Sequence, residues 1–335
     1  MQKAMKFLVF GLGSMGKRRV RCLKALGVPD ENIHGFDPRI DRCDESNFKY
    51  GITADTELNK IDLQCYDANI ISTPPDAHAK YCKLAIDNKK PAFIEASVLI
   101  EEVTAVQNYN KIKGVFLAPS CTLRFHPIIK NIKEIVNSSK YGKITNFTYH
   151  CGQYLPDWHP WENINDFYVS KRKTGGAREI VPFELIWLID VVGRPLDIKG
   201  YFQKTIDFGA QIEDTYSFLL KYTDKIGAVT VDVASRYAIR NLVLNMENAQ
   251  IQWRWDDNFF KLYEAENNRW ITYSQPENIP ESGYNKNIIE KMYVEELQSF
   301  INGITDHKAY PSSIGDDIYV LKLLNMIEET DGRVL

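Results

Sequence analysis

No stretch of the chain approaches the roughly 20 consecutive apolar residues that a bilayer crossing needs, so no membrane span is expected. Nor is there a charged and then apolar leader: the N-terminus runs straight into a strand-like segment, which points to a cytoplasmic protein. Positive charge is in slight deficit. With a net charge of −3 over 335 residues and only short basic runs, neither nucleic acid nor an anionic membrane surface is expected as a partner. The six cysteines contain no C-x-x-C pair, which argues against a disulfide frame or a zinc site and fits reduced, mostly buried thiols. No internal repeat and no low-complexity tract interrupts the chain. What remains is ordinary globular composition, 44% hydrophobic and 25% charged, in a chain long enough for about two domains.

The most informative stretch comes first. The apolar run Met5-Lys6-Phe7-Leu8-Val9-Phe10 passes at once into Gly11-Leu12-Gly13-Ser14-Met15-Gly16 and then into a helical pattern. A strand, a G-x-G-x-x-G turn and a helix in succession describe a dinucleotide-binding unit. Gly11 permits the tight turn, Gly13 lets backbone approach a pyrophosphate, and Gly16 lets helix and sheet pack closely. Ser14 and Met15 open the helix whose N–H groups would face the phosphates. A second strand, Asn32 to Phe36, ends at Asp37, 21 residues after Gly16, where a carboxylate accepts ribose hydroxyls. Capping of the turn before Pro38 is the competing role for Asp37. Such a carboxylate argues for NAD over NADP, a preference that Arg39 could soften.

Up to about residue 120, short apolar runs alternate with helical stretches, the pattern of a doubly wound parallel sheet. Ala68 to Ser72 reads as a buried strand ending at Thr73-Pro74-Pro75-Asp76-Ala77-His78, and Pro91 to Glu95 as the next strand. Glu95 then sits at the carboxyl end, where open parallel sheets bind ligands. Beyond Gly142 long alternating segments dominate: Ile144 to Gln153, Leu196 to Lys204, Asp214 to Tyr222, Ala228 to Arg236 and Leu242 to Trp255. These describe a mostly antiparallel sheet with one covered face. The expected fold is α/β: a Rossmann domain over 1–121, then an α+β domain over 122–335 whose last helix, about 314–329, packs back on the first.

Five features in order resemble the Gfo/Idh/MocA oxidoreductases, the glucose-fructose oxidoreductase and inositol dehydrogenase family. They are the GLGSMG loop, the Thr73-Pro74-Pro75…His78 turn, Glu95, Arg124-Phe125-His126-Pro127, and Gly175-Gly176-Ala177 opening a helix that ends at Gly193. The resemblance covers nearly the whole chain. It implies NAD-dependent hydride transfer at a hydroxyl carbon of a sugar, cyclitol or nucleotide-sugar derivative, and a homo-oligomer, dimer or tetramer. It also implies cofactor contacts at Thr73, Pro74, His78 and Glu95. Family members usually carry Glu-Lys-Pro at the strand end and Asp-x-x-x-His on the later helix; here Ala96 stands for the lysine and Phe183 for the histidine.

Removing a hydroxyl proton calls for a base within hydrogen-bond reach, and the candidates are His159, His126 and Glu179. His126, at a helix start before Pro127, could as well cap or pack. The run Asp157-Trp158-His159-Pro160-Trp161 suits sugar recognition, with indole faces of Trp158 and Trp161 against a pyranose; plugging the core is the other use of such tryptophans. Arg124 would line a substrate cleft. Lys171 and Lys173, with Arg172 between them, could grip a phosphate or form a solvated loop. Glu184, among apolar neighbours, is a substrate contact, a structural ion pair or an unusual acid. Two other readings stand beside the dehydrogenase: a nicotinamide- or sugar-binding protein without turnover, and an NAD-using lyase or epimerase.

Overall fold

The computed structural model describes residues 5–158, 163–166, 168–275 and 289–332. The chain divides into two units, Met1–Thr122 with Lys291–Ile318, and Leu123–Glu290 with Tyr319–Leu335. No helix among the described residues is long and apolar enough to cross a membrane.

The first unit holds a parallel sheet of β1 (Phe7–Phe10), β2 (Ile33–Phe36), β3 (Thr53–Asp55), β4 (Ala68–Ile71), β5 (Ala92–Ile94) and β6 (Leu117–Pro119). Its order is β3-β2-β1-β4-β5-β6. All four residues of β1 are buried, as expected of a strand covered on both faces. Helices α1 (Ser14–Ala25), α2 (Ile40–Tyr50), α3 (His78–Asp87) and α4 (Ile100–Asn110) return the chain between strands. The order reverses between β1 and β4, and the crevice at the carboxyl ends beside that switch is where such sheets bind ligands. This unit is the doubly wound parallel sheet that the apolar alternation led us to expect.

The second unit begins with α5 (Pro127–Asn137) and carries β7 (Ile144–Tyr154), α6 (Ala177–Val192), β8 (Asp197–Gln203), β9 (Thr215–Lys221), β10 (Ile226–Asp232), β11 (Ala234–Met246), β12 (Ala249–Arg254), β13 (Phe259–Glu264) and β14 (Arg269–Ser274). The sheet order is β14-β13-β12-β11-β7-β10-β9-β8. Only β7 and β10 pair in parallel; their neighbours are antiparallel. Alternation puts Tyr216, Phe218 and Leu220 of β9 inward, while α6 buries Val181, Trp187 and Leu188 completely.

Three features depart from the sequence reading. Ala228 to Arg236 is not one segment but parts of β10 and β11, broken at Val233. Leu242 to Trp255 is not one segment but parts of β11 and β12, turning at Glu247 and Asn248. That turn needs no glycine because neither Glu247 nor Asn248 adopts a positive φ, and its amides donate to the carbonyls of Lys143 and Tyr141. Lys291–Ile318 belongs to the first unit and not to a continuous second domain. Its helix α7 (Glu290–Thr305) buries Phe300, whose ring meets those of Phe93 and Phe116, and Glu296, which pairs with Arg19. The final helix, α8 (Ile314–Thr330), contributes Ile314–Ile318 to the first unit and its remainder to the second.

Candidate functional site

The three glycines of the opening loop have different reasons to be glycine. Gly11 adopts φ +86°, and a Cβ there would stand 2.6 Å from the Ser72 carbonyl oxygen. At Gly16 a Cβ would fall 1.8 Å from the Gly11 oxygen. Both are required by the protein's own backbone. Gly13 is not: a Cβ there meets only the Arg42 guanidinium, at 3.6 Å, which is ordinary contact. Among the described residues no other group lies within 4 Å of that position. Gly13 also caps α1, whose first turn contains no acidic residue and no side-chain cap, the kind of helix end that favours an anion.

Asp37 is almost fully buried at the end of β2. Its Oδ2 accepts from the Leu12 amide at 2.8 Å, and Oδ1 accepts from the Arg39 amide at 3.0 Å. The carboxylate therefore ties the glycine loop to the start of α2. The Arg39 side chain makes a two-pronged pair with Asp41 on the surface. The cation beside Asp37 is instead Arg42, in the first turn of α2, with Nη1 3.3 Å from Oδ2. Sequence reasoning missed Arg42, although its place in the first turn of the helix after Asp37 was the available signal.

Thr73 and Pro74 follow β4, and the His78 ring donates from Nε2 to the Thr73 carbonyl at 2.8 Å. The Thr73 hydroxyl is buried with no partner among the described residues. Burial holds His78 neutral by lowering its pKa. Glu95, after β5, is gripped by the buried Arg19 through Nε at 2.6 Å and Nη2 at 3.1 Å. Arg19 also faces Glu296 at 2.8 Å and lies over the Phe93 ring. Glu95 is thus half of a buried network rooted in α1, a partner the sequence did not announce.

In the second unit, Gly175 and Gly176 are needed for chain geometry. A Cβ on Gly175 would lie 1.8 Å from the Val169 oxygen, and Gly176 has φ +63°. They deliver the chain into α6, whose Arg178 is bound by Glu328 at 2.8 Å, with Tyr216 donating to the same carboxylate. The next residue, Glu179, accepts from the Tyr168 hydroxyl through Oε1 at 2.6 Å. Its Oε2 is buried and has no partner among the described residues. Burial raises the carboxyl to a pKa of about 7 against the opposing pull of Tyr168.

Glu184, on the same helix, has the contrary environment. Oε2 accepts from Tyr149 and Trp187, and Oε1 from Arg240 and Cys151. Of the roles open to it, the ion pair with Arg240 is the one observed. His126 is buried against the rings of Trp253 and Trp255. Burial and then the Arg240 charge lower its pKa to about 3. Arg124 donates from Nε to the Ile186 carbonyl on α6. Lys171 and Lys173 are exposed, and Arg172 pairs with Glu213. Trp158 buries its indole Nε1 with no partner among the described residues. His159 and Trp161 lie outside the described residues.

No family model matches the chain. A curated relative, a putative precorrin-2 dehydrogenase of Methanocaldococcus jannaschii, is 25% identical over 175 residues, which is 50% of this chain and 84% of that protein. Among solved structures, an oxidoreductase from Agrobacterium radiobacter in complex with NAD+, L-tartaric acid and magnesium aligns with a TM-score of 0.84 at 13% identity, over 98% of this chain and 97% of its own. A levoglucosan dehydrogenase in complex with NADH and levoglucosan gives 0.82 at 15% identity, again over 98% and 97%. The chain shares the fold of these two structures.

Within that fold the two positions where the resemblance expects a lysine and a histidine carry no titratable atom: Ala96 and Phe183 are both half-buried. In the first unit the residue before Ala96 is Glu95, already paired; in the second, one helical turn before Phe183, is Glu179, with one oxygen paired among the described residues. Tyr168, which sequence reasoning also missed, donates the hydrogen bond that Glu179 accepts and lies eleven residues before it.

Proposed function

We propose that this chain is an NAD-dependent oxidoreductase that moves a hydride between nicotinamide and a hydroxyl carbon of a sugar, cyclitol or nucleotide-sugar derivative. The observation that carries the reading is Gly13, whose missing side chain no described residue requires, at the mouth of a helix with no acidic residue in its first turn and no side-chain cap. The Gly11 to Gly16 backbone would hold a pyrophosphate and Asp37 a ribose, with Thr73 and its unpartnered hydroxyl on the same side of the sheet. When bound, the dinucleotide supplies the hydride carrier.

The chain's own part is the proton. Of the shortlisted bases, His126 is held neutral inside a tryptophan cage, whereas Glu179 has an oxygen with no partner among the described residues and a pKa near working pH, the condition for a general base. In oxidation Glu179 Oε2 accepts the hydroxyl proton; in reduction it returns it. His159 stays on the shortlist. Titration of the protein's tryptophan fluorescence with NADH and NADPH, followed by a panel of sugars and cyclitols, tests this. Tight NADH binding with turnover supports it, and failure to bind either dinucleotide overturns it.

Ala96 and Phe183 favour a second reading, a nicotinamide-binding protein without turnover; NADH binding with no activity across the panel would select it. The reading extends to a homo-oligomer, since the outer face of β8 to β10 exposes Tyr201, Leu219 and Ile226. A monomer mass in sedimentation velocity overturns that extension.

A further inference from the structure

We propose that Tyr168 is a positioning residue for Glu179: it holds Oε1 and presents Oε2 as the single carboxyl oxygen offered to a substrate hydroxyl. The inference rests on the reading of Glu179 as the proton acceptor and adds the residue that aims it.

The geometry begins in the loop before α6. Tyr168 opens a short turn, Tyr168–Ser170, whose carbonyls accept hydrogen bonds from residues 171 to 176. The Tyr168 carbonyl accepts from the Lys171 amide and the Thr174 hydroxyl, and the Val169 carbonyl accepts from the Gly176 amide. Gly175 lies so close to the Val169 oxygen that no side chain could be there. The turn and the first residues of α6 are thus one clasp. Arg178 locks the helix start from the other side, through Glu328 and the Lys173 carbonyl. Tyr168 and Glu179 are therefore joined through one hydrogen-bonded frame, and the 2.6 Å bond between them sets the rotation of the carboxyl.

Comparison with Glu184 separates this from simple satisfaction of a buried acid. There, donors meet both oxygens. At Glu179 one oxygen is met and the other is buried with no donor against it among the described residues, an arrangement that costs free energy unless a ligand completes it. A hydroxyl of a polyol or sugar is the chemistry that fits, because it donates a hydrogen bond to the carboxylate and can give up its proton. Tyr168 also donates to the charged form, which opposes the effect of burial. It is the titratable group within hydrogen-bond reach of Glu179 among the described residues.

The test is a carboxyl-carbon NMR titration of the full chain labelled with [5-13C]glutamate, the Glu179 resonance being assigned by its loss in Glu179→Gln. In the wild type the resonance should titrate near 7. In Tyr168→Phe, which keeps the ring and removes only the donor, the midpoint should rise by about one unit. An unchanged midpoint in Tyr168→Phe overturns the proposal. So does a wild-type midpoint in the ordinary carboxyl range near ~4.3, and this arm stands even where Tyr168→Phe fails to fold. On a substrate found in the panel, Tyr168→Phe should lower kcat more than it alters KM and move the pH profile upward. Turnover by Glu179→Gln near the wild-type rate would sink the proton-acceptor reading while leaving the titration result intact, so the two failures are distinguishable.

Discussion

The Arg42 guanidinium lies 3.3 Å from the Asp37 carboxylate and is also the nearest group to the open side of Gly13. A cation therefore stands at the corner where a ribose would meet Asp37. A 2′-phosphate is repelled by Asp37 and attracted by Arg42, so removing the arginine should sharpen discrimination against NADPH. For Arg42→Ala we expect NADPH affinity to fall about tenfold or more while NADH stays within about threefold, since one such charge pair is worth roughly 1.4 kcal/mol or more when partly buried. Parallel fluorescence titrations check it, and equal losses for both dinucleotides would contradict it.

Gly13→Ala and Gly16→Ala should fail in different ways. The methyl at residue 13 enters space open in the protein, so the melting temperature should stay within a few degrees while dinucleotide affinity drops at least about tenfold. At residue 16 it would overlap the Gly11 carbonyl, and the variant should unfold or melt far earlier. Scanning fluorimetry with and without NADH separates the two.

Glu179 makes stability depend on pH in a definite direction. Its folded pKa, about 7, is raised above the unfolded value, so the folded state binds the proton more tightly. The stability linked to that proton is fully present below ~4.3 and is lost as pH rises through 7. Glu179→Gln does not titrate. It should therefore match the wild type near pH ~4 and exceed it at pH ~8 by on the order of 3 kcal/mol, a gain accompanied by loss of turnover. Urea unfolding at the two pH values checks it; a variant less stable at the higher pH would contradict it.

The Glu184–Arg240 pair should show strong non-additivity. Truncating either partner leaves a buried charge alone, at a cost of about 3–5 kcal/mol. Glu184→Gln with Arg240→Met in one chain should cost clearly less than the sum of the two single changes. A double-mutant cycle in urea measures this, and additive losses would mean that the pair is not coupled.

Much of this molecule was legible in one dimension because its physics is local. The strand, glycine turn and helix at residues 7 to 25 are contiguous, and Asp37 follows one strand later, so a fixed spacing carries the whole nucleotide-binding pattern. Alternation in the later half reported a sheet with one covered face, since side chains in a strand change face at every residue. The turn at Glu247 and Asn248 was not legible, because the groups that satisfy it, Lys143 and Tyr141, are distant in sequence and reach it only through the fold.

The sequence by itself determined where the glycine loop, Asp37, Glu95 and the Gly175-Gly176 helix entry would fall, and that Ala96 and Phe183 take no part in proton transfer. Only the tertiary structure decided which charges are spent. Arg19 reaches Glu95 across 76 residues and Arg178 reaches Glu328 across 150, while Glu184 is closed by Arg240 and one oxygen of Glu179 meets no donor among the described residues. These outcomes depend on burial and on pairing between distant segments, and a carboxylate in a string of letters shows neither its depth nor its partner.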